Sequence, residues 1–402
     1  MIKIVIVLIY SLVIFPERSM ASDCGDSFQS GAEFYRCALQ RDPRISSLDS
    51  RKAEREGRET EARQIPNPKA ESEFTFNAEN RQAASILQPI EIGGKRSARL
   101  KIAEAENKSS IIEDQVALSE VAADLAISLV RFRQLSTRAA LLEETKGSLD
   151  RLTARLRSKA VRTPEERNAL TIFSMQSTVL DTQLLSIRQE LKEVRSELEA
   201  AIGRKLADSE KLTSSEKKDW PTLDLSKMGE TFESKLAAAS IERAQGELHR
   251  QQSLGWPELA IGPAMERQAG SETSWGAKVE FVIPIFNTNG GARQRSRAEL
   301  QRTEALAGRT KFKESANLKA LAEQYGDVAK FLKNSPSQMA IRKSVTESLQ
   351  LFSRAMIQPS AIVESYRSTL ETLEAVQEKE LTAYRLYWKL RSFSGEVPRE
   401  FL

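Results

Sequence analysis

The residue types that usually carry out chemistry are scarce in this chain of 402 residues. His249 is its single histidine, which leaves no histidine-based metal site, and no catalytic constellation of side chains is recognisable in the sequence. Soft metal ions would then depend on seven scattered methionines, of which Met265 lies in a strand-like segment where packing is the simpler role. We therefore predict no enzyme activity, no cofactor and no resident metal.

The two cysteines, Cys24 and Cys37, lie 13 positions apart near the N-terminus. In an oxidising compartment such a pair can form a disulfide, and we predict that bond here. The alternative is a lipid anchor on Cys24. That modification needs a small residue immediately before the cysteine, where this chain has Asp23.

The first 21 residues have the pattern of a secretory signal peptide. Lys3 precedes an apolar run from Ile4 to Phe15, which is too short to span a bilayer as a helix. Small residues at Ser19 and Ala21 predict cleavage after Ala21. We expect residues 1–21 to be removed as the protein leaves the cytoplasm, with an uncleaved anchor as the alternative.

Charge and composition indicate long amphipathic helices. Charged residues make up 29% of the chain and aromatic residues only 6%, which is unlike a compact enzyme with a large aromatic core. The 60 basic and 56 acidic residues are interspersed, whereas a nucleic-acid binder would segregate a basic excess. We therefore predict no nucleic-acid partner.

The chain repeats one order of elements twice: a helix, two strands, a long helix, a turn and a shorter helix. Gly94 lies 70 residues before Pro164, and Gly291 lies 68 residues before Pro359. This agreement in order and spacing predicts two internal repeats. The predicted organisation is a signal peptide at 1–21, a first repeat at 22–203, a linker at 204–231, a second repeat at 232–395 and a C-terminal tail at 396–402.

Each repeat contains one long helical pattern. From Val121 to Leu156 and from Ile341 to Met356, an apolar residue recurs every three or four positions. This spacing predicts coiled-coil helices with a narrow apolar seam. A helix of about 65 residues is about 100 Å long, so it must pack on a return helix. Proline suits the turns because it can begin a helix but not continue one. The predicted helix tips are Ala160, Val161, Arg162, Thr163 and Pro164 in the first repeat, and Ile357, Gln358, Pro359 and Ser360 in the second.

The segments 68–92 and 257–286 predict two strand pairs because their side chains alternate in polarity. Each run is about ten residues long, as a tilted strand needs in order to cross an outer membrane. An ordinary half-buried sheet has the same period, so alternation alone leaves both interpretations open. The predicted lipid-facing residues are Leu259, Ile261, Trp275, Val279, Phe281 and Ile283.

Strand number distinguishes the two interpretations. A closed transmembrane barrel needs at least eight strands, and an open sheet in lipid would leave its edges unpaired. Several copies must therefore share one barrel if the strands enter a membrane, and three copies would supply twelve. The predicted fold class is a mixed membrane α-barrel and β-barrel with long helical hairpins, four transmembrane strands per chain and closure by trimerisation.

Glycine pairs stand where each strand pair passes into a long helix, at Gly93 and Gly94 and again at Gly290 and Gly291. Glycine permits backbone angles that other residues avoid, so both pairs are predicted strand-to-helix turns. Lys95 and Arg96 follow the first pair, where cations can meet lipid headgroups, lumenal water or simply bulk solvent.

The strings QPIEIGGKRSARL at 88–100, ALQRDPRI at 38–45 and VIPIFNTNGG at 282–291 resemble the outer-membrane efflux protein family, the TolC-like channels. The first is similar to the strand-to-helix junction of the heavy-metal (CzcC-like) branch, and the second resembles the family's opening segment with Asp42 in place of Asn. The matching residues of the first string are Glu91, Gly93, Gly94, Lys95 and Arg96. In the second repeat they are Pro284, Ile285, Phe286, Asn287 and Gly291.

This resemblance implies a homotrimer that places twelve strands in outer-membrane lipid and a hollow helical cylinder across the periplasm. The helix tips would dock onto a periplasmic adaptor carried by an inner-membrane pump. The protein would be a passive exit duct for small solutes, and the resembling branch suggests heavy-metal cations among them. The alternatives are a periplasmic adaptor, which has one hairpin beside compact β-domains, and a secreted coiled-coil scaffold without a pore.

Overall fold

The computed structural model describes residues 27–75, 81–208, 210–212, 219–224, 229–268, 270–282, 284–286, 288–354 and 358–393. Several predictions lie outside these residues. They concern the signal peptide at 1–21, the tail at 396–402, Cys24, Ile283, Asn287 and Ile357.

The described elements follow the predicted repeat. The first copy contains α1 (Gly31–Arg41), α2 (Pro43–Arg63), β1 (Lys69–Thr75), β2 (Arg81–Ile90), α3 (Lys95–Arg157) and α4 (Pro164–Ile202). The second contains α5 (Phe232–Ser253), β3 (Glu258–Arg267), β4 (Ser274–Val282), α6 (Gly290–Asn334), α7 (Gln338–Ser353) and α8 (Pro359–Phe393). The prediction of two structural repeats with helical hairpins and strand pairs is confirmed.

The first hairpin consists of α3 and α4. The 63 residues of α3 make a rod about 95 Å long. Thr163 and Glu166 form a capping box that begins α4 at Pro164, since each side chain accepts a hydrogen bond from the other residue's backbone N–H. Gly203, with φ of 71°, ends α4 in the left-handed conformation that suits glycine.

The second hairpin corrects the prediction of one unbroken helix from Gly291 to the tip. Its first arm is divided into α6, with 45 residues, and α7, with 16. Pro336 lies in the break and explains it, because proline has no N–H and its ring clashes with the carbonyl of the preceding turn. Ser337 then caps α7 by accepting a hydrogen bond from the backbone N–H of Ala340.

The four strands form one antiparallel sheet in the order β1-β2-β3-β4, so the two repeats join through β2 and β3. Pairing places Ser72 opposite Ala84 in the first repeat and Met265 opposite Trp275 in the second. Ala84 also lies opposite Met265, so Ser72, Ala84, Met265 and Trp275 lie on one face and the side chains of all four strands alternate in phase. The sheet therefore has one apolar and one polar face.

Two hydrophobic clusters lie along the helices. One surrounds Trp388, Tyr35 and Tyr384, and Trp220 from the inter-repeat linker meets Tyr384 edge-on with ring centroids 4.9 Å apart. The other lies between the two hairpins around Phe173 and other apolar residues of α3, α4, α7 and α8. Of the helices that the structure describes, none has a stretch long and apolar enough to cross a membrane.

Candidate membrane-spanning sheet and helix tips

The polar face of the sheet is concave. Lys278 on β4 extends its Nζ to 2.5 Å from Oε2 of Glu71 on β1, although these strands are the two edges of the sheet. Leu87 is fully buried on this face, and a Cβ atom on Gly262 would lie 1.7 Å from the carbonyl oxygen of Ile86. The sheet therefore curls toward its charged side, as the wall of a barrel does.

The convex face is apolar and exposed. Trp275 is 75% exposed and Phe281 is 62% exposed, and their neighbours on this face include Leu259, Ile261 and Val279. The described residues among the predicted lipid-facing set thus share one face of β3 and β4. The other exposed apolar side chains of this face are Phe74, Ile86 and Ile90.

The strand lengths fit a thin apolar layer. Strands β2 and β3 have ten residues each, or about 33 Å, and a tilt of about 40° reduces this to about 25 Å. Phe74 and Trp275 lie at one end of the face, and Phe281 and Phe286 lie at or beyond the other. Aromatic residues at both limits of an apolar band are typical of outer-membrane barrels.

The fourth strand is shorter than predicted. It ends at Val282, and Ile285 and Phe286 lie in a bend rather than in the sheet. Pro284 accounts for the end, because it has no backbone N–H to donate to a neighbouring strand. Phe286 is fully exposed beyond the strand.

The first strand-to-helix turn is as predicted. Gly93 and Gly94 have φ values of 71° and 84°, in the left-handed region that favours glycine. A Cβ atom on Gly93 would lie 2.2 Å from Trp256, and one on Gly94 would lie 3.0 Å from Nε2 of His249. The single histidine therefore packs at this junction, with Nε2 3.3 Å from Oγ of Ser97.

The second turn differs from the prediction. Asn289, with φ of 56°, adopts the left-handed conformation, and Gly290 and Gly291 already belong to α6. Asparagine tolerates this conformation because its short amide can make local hydrogen bonds. Here Nδ2 of Asn289 donates to the carbonyl oxygen and to Oε1 of Gln251, at 2.8 and 2.9 Å.

The cations after the first turn make contacts within the protein. Lys95 is largely buried and lies 3.6 Å from Glu258 at the start of β3. Arg96 donates to the carbonyl oxygen of Arg63 at 3.0 Å. Arg99 forms two hydrogen bonds with the carboxylate of Glu91. These contacts join α2, the junction and the second strand pair.

The first predicted tip is an exposed turn between α3 and α4. Val161 is 87% exposed, and Arg162 donates to the carbonyl oxygens of Leu156 and Arg157 at the end of α3. Lys159 donates a hydrogen bond to Glu166, which lowers the pKa of that carboxyl group. The side chains of Lys159 and Arg162 are therefore held by contacts within the turn.

The second predicted tip is only partly within the described residues. Gln358 and Ser360 are exposed, and Pro359 begins α8. Proline at the first helical position is favourable because its missing N–H would have no partner there. The structure thus places both prolines where a helix starts.

A buried ionic cluster between α3 and α8 was not predicted from the sequence. Arg133 and Glu380 lie 2.5 Å apart with side chains that are 6% and 4% exposed. Gln134 donates to Glu380 at 2.9 Å and to the carbonyl oxygen of Gln377 at 2.8 Å. Burial beside this cluster raises the pKa of Tyr384 to about 12. A charged residue next to an apolar seam is common in exposed helices, so spacing could not reveal it.

Of the two cysteines, Cys37 is disulfide-bonded and Cys24 lies outside the described residues. Within the described part of the chain, no group of three or more His, Cys, Asp or Glu side chains could hold a metal ion.

No protein-family model and no curated protein sequence matches the chain. Solved structures match it over almost its whole length. The outer membrane protein VceC from Vibrio cholerae is 13% identical with a TM-score of 0.67, over 92% of this chain and 96% of that one. The outer-membrane channel OprN is 12% identical with a TM-score of 0.70, over 92% and 93%. The open state of the Neisseria gonorrhoeae MtrE outer membrane channel is 12% identical with a TM-score of 0.67, over 92% and 90%. The chain therefore has the fold of these outer-membrane channels, the TolC-like fold that its sequence resembles.

Proposed function

We propose that this protein is an outer-membrane channel that forms the passive exit duct of an efflux system. The observation that carries the proposal is the curved sheet, which exposes aromatic and aliphatic side chains on its convex face and holds all but one of its charged side chains on the concave face. A soluble domain would bury such a face, whereas a barrel wall presents it to lipid.

A homotrimer completes the wall. Four strands cannot close a barrel, and the outer edges of β1 and β4 would be left unpaired in lipid at a prohibitive cost. Three copies give twelve strands, an even number in the range of known outer-membrane barrels. The helices of the three chains then form the wall of a conduit that extends from the outer membrane into the periplasm.

The far ends of the hairpins supply the contact with partners. The α3 rod places Val161 about 100 Å from Gly94, which is far enough to meet proteins deep in the periplasm. We assign the exposed tips to docking with a periplasmic adaptor that is held by an inner-membrane pump, which supplies the energy. The proposed cargo is small solutes. The more specific proposal is that the cargo includes heavy-metal cations, and the resemblance of residues 88–100 to the heavy-metal branch supports it.

Extraction and conductance test the channel directly. Detergent extraction of outer membranes should yield an oligomer that survives mild SDS and dissociates on boiling, and the same material should form stable pores in planar bilayers. A monomer released into the periplasmic fraction without detergent would instead support an adaptor or a coiled-coil scaffold.

Growth of a deletion strain tests the cargo. Sensitivity to heavy-metal salts but not to dyes or antibiotics would support the metal form of the proposal. Sensitivity to dyes or antibiotics alone would contradict that form and leave the channel intact.

A further inference from the structure

The two edge strands of the sheet can pair with a second copy in only a few ways. Each strand is antiparallel to its neighbour in the order β1-β2-β3-β4, so β1 is also antiparallel to β4. Strand β4 of one copy can therefore pair with β1 of the next without changing the alternation around a ring. The pairing specifies how the subunits of the proposed trimer join, and it rests on that proposal.

Side-chain alternation removes half of the registers. Ser72 and Phe74 lie on the convex face of β1, and Ala277 and Val279 lie on the convex face of β4. A shift by one residue would turn one of these strands inside out and place its charges in lipid. Residues of β1 with even numbers must therefore oppose residues of β4 with odd numbers.

The stagger within the sheet selects among the remaining registers. A line perpendicular to the strands passes from Glu71 to Ser85, Ala264 and Gly276. Glu71 lies on the side of the middle of β1 that is nearer the helices, whereas Gly276 lies on the side of the middle of β4 that is nearer the hairpin turn. Relative to the middle of each strand, the line therefore shifts toward the hairpin turns by about one residue per strand. With about 3.3 Å per residue and about 4.8 Å between strands, this stagger corresponds to a tilt of about 35°.

The next strand around the ring is β1 of the partner subunit. If the same shift continues onto it, Gly276 lies opposite Thr75 of the partner subunit. A register two residues shorter would reduce the tilt to about 19°, below the range of outer-membrane barrels. A register two residues longer would raise it to about 46° and leave Lys69 and Ala70 beyond the end of β4 at Val282.

We propose that β4 of each copy pairs with β1 of the next in one register, in which Val279 lies opposite Ser72 of the partner subunit and Lys278 lies opposite Glu73 of the partner subunit. All seven residues of β1 then have a partner in β4. On the lumenal face, Lys278 contacts Glu71 of its own chain across the sheet and also lies opposite Glu73 of the partner subunit, so its ammonium group has a carboxylate on either side.

Disulfide cross-linking of the full-length protein in outer membranes tests the register. The variants Ser72→Cys with Val279→Cys and Glu73→Cys with Lys278→Cys each join residues that we place directly opposite. Neighbouring pairs alternate between hydrogen-bonded and non-hydrogen-bonded sites, so the two variants sample both geometries. Matched controls are Ser72→Cys with Ala277→Cys and Ser72→Cys with Phe281→Cys, whose Cα atoms would be about 7–8 Å apart, too far for an unstrained disulfide. The unsubstituted chain, which keeps Cys24 and Cys37, provides the background.

After mild oxidation, at least one of the two opposite pairs should give covalent dimers and trimers on non-reducing gels, several-fold more than either control. Equal or greater cross-linking in a control would overturn the register while leaving the trimer in place. Heat-labile trimers without cross-links in any variant would also overturn it. If the unsubstituted chain formed no oligomer, the proposed channel would fall together with the register.

Discussion

Trp256 packs directly over Gly93, so that a Cβ atom on Gly93 would lie 2.2 Å from the indole Cγ. The contact joins the end of the first strand pair to the segment between α5 and β3, in the other repeat. Gly93 also has φ of 71°, where other residues are strained. The junction between the first strand pair and α3 therefore depends on the absence of a side chain at this position.

Substituting Gly93→Ala should weaken the junction by about 2 kcal/mol or more, from the strained backbone and from the displacement of Trp256. The matched control is Gly291→Ala, at the start of α6, where a Cβ atom would meet nothing within 4 Å. A lower temperature of trimer dissociation for Gly93→Ala alone is the expected result. Equal dissociation temperatures for both variants would contradict the importance of this contact.

The buried ionic pair between α3 and α8 leads to a second prediction. Removing one partner with Glu380→Ala leaves Arg133 buried without its carboxylate, which should cost about 3–5 kcal/mol of unfolding free energy. Denaturant unfolding of the purified protein measures the loss. Replacing both residues, with Arg133→Met and Glu380→Leu, should restore most of it.

The control for that pair is Glu364→Ala, which removes an exposed partner of Arg367 on the same helix. Exposed pairs contribute about 0–1 kcal/mol, so this variant should unfold almost as the unsubstituted protein does. A similar loss of unfolding free energy from both alanine variants would mean that burial does not determine how much the pair of Arg133 and Glu380 contributes to stability.

Much of this fold could be predicted because its elements are long and periodic. The seam from Val121 to Leu156 predicted α3 without any tertiary information, and alternation in 257–286 correctly placed Leu259 and Phe281 on one face. Geometry then required several copies, because four strands cannot close in lipid. These inferences depend on the local periodicity of apolar residues, which can be read from the sequence, and on the general requirement that strand edges are paired in lipid.

The misses have a different origin. Gly290 and Gly291 suggested a left-handed turn, but the preceding Asn289 adopts it, because its amide finds Gln251 on another helix. Arg133 is a buried charge only because Glu380 approaches from almost 250 positions away in the sequence. Such outcomes depend on tertiary partners that no local pattern contains. Pro336 was a readable signal of the break between α6 and α7.

The convex face of the sheet gives a third prediction. Val279→Asn would place an amide against hydrocarbon, at a cost of about 2 kcal/mol or more, whereas Glu280→Asn changes the adjacent residue on the lumenal face. The first variant should lower the amount of heat-resistant oligomer recovered from outer membranes, and the second should leave it near the unsubstituted level. The reverse order would mean that the charged face, not the apolar one, meets the lipid.

The helix tips give the last prediction. Introducing a carboxylate at both turns, with Val161→Asp and Gln358→Asp, should block export in a growth assay while heat-resistant trimers still reach the outer membrane, because both side chains are exposed and far from the sheet. A helix-cap variant separates docking from tip unfolding: Thr163→Ala removes the capping box and should destabilise the start of α4 by about 1 kcal/mol without adding charge. If export fails in the aspartate variant and continues in Thr163→Ala, the tip surface itself meets the adaptor. Normal export in the aspartate variant would remove the tips from that contact.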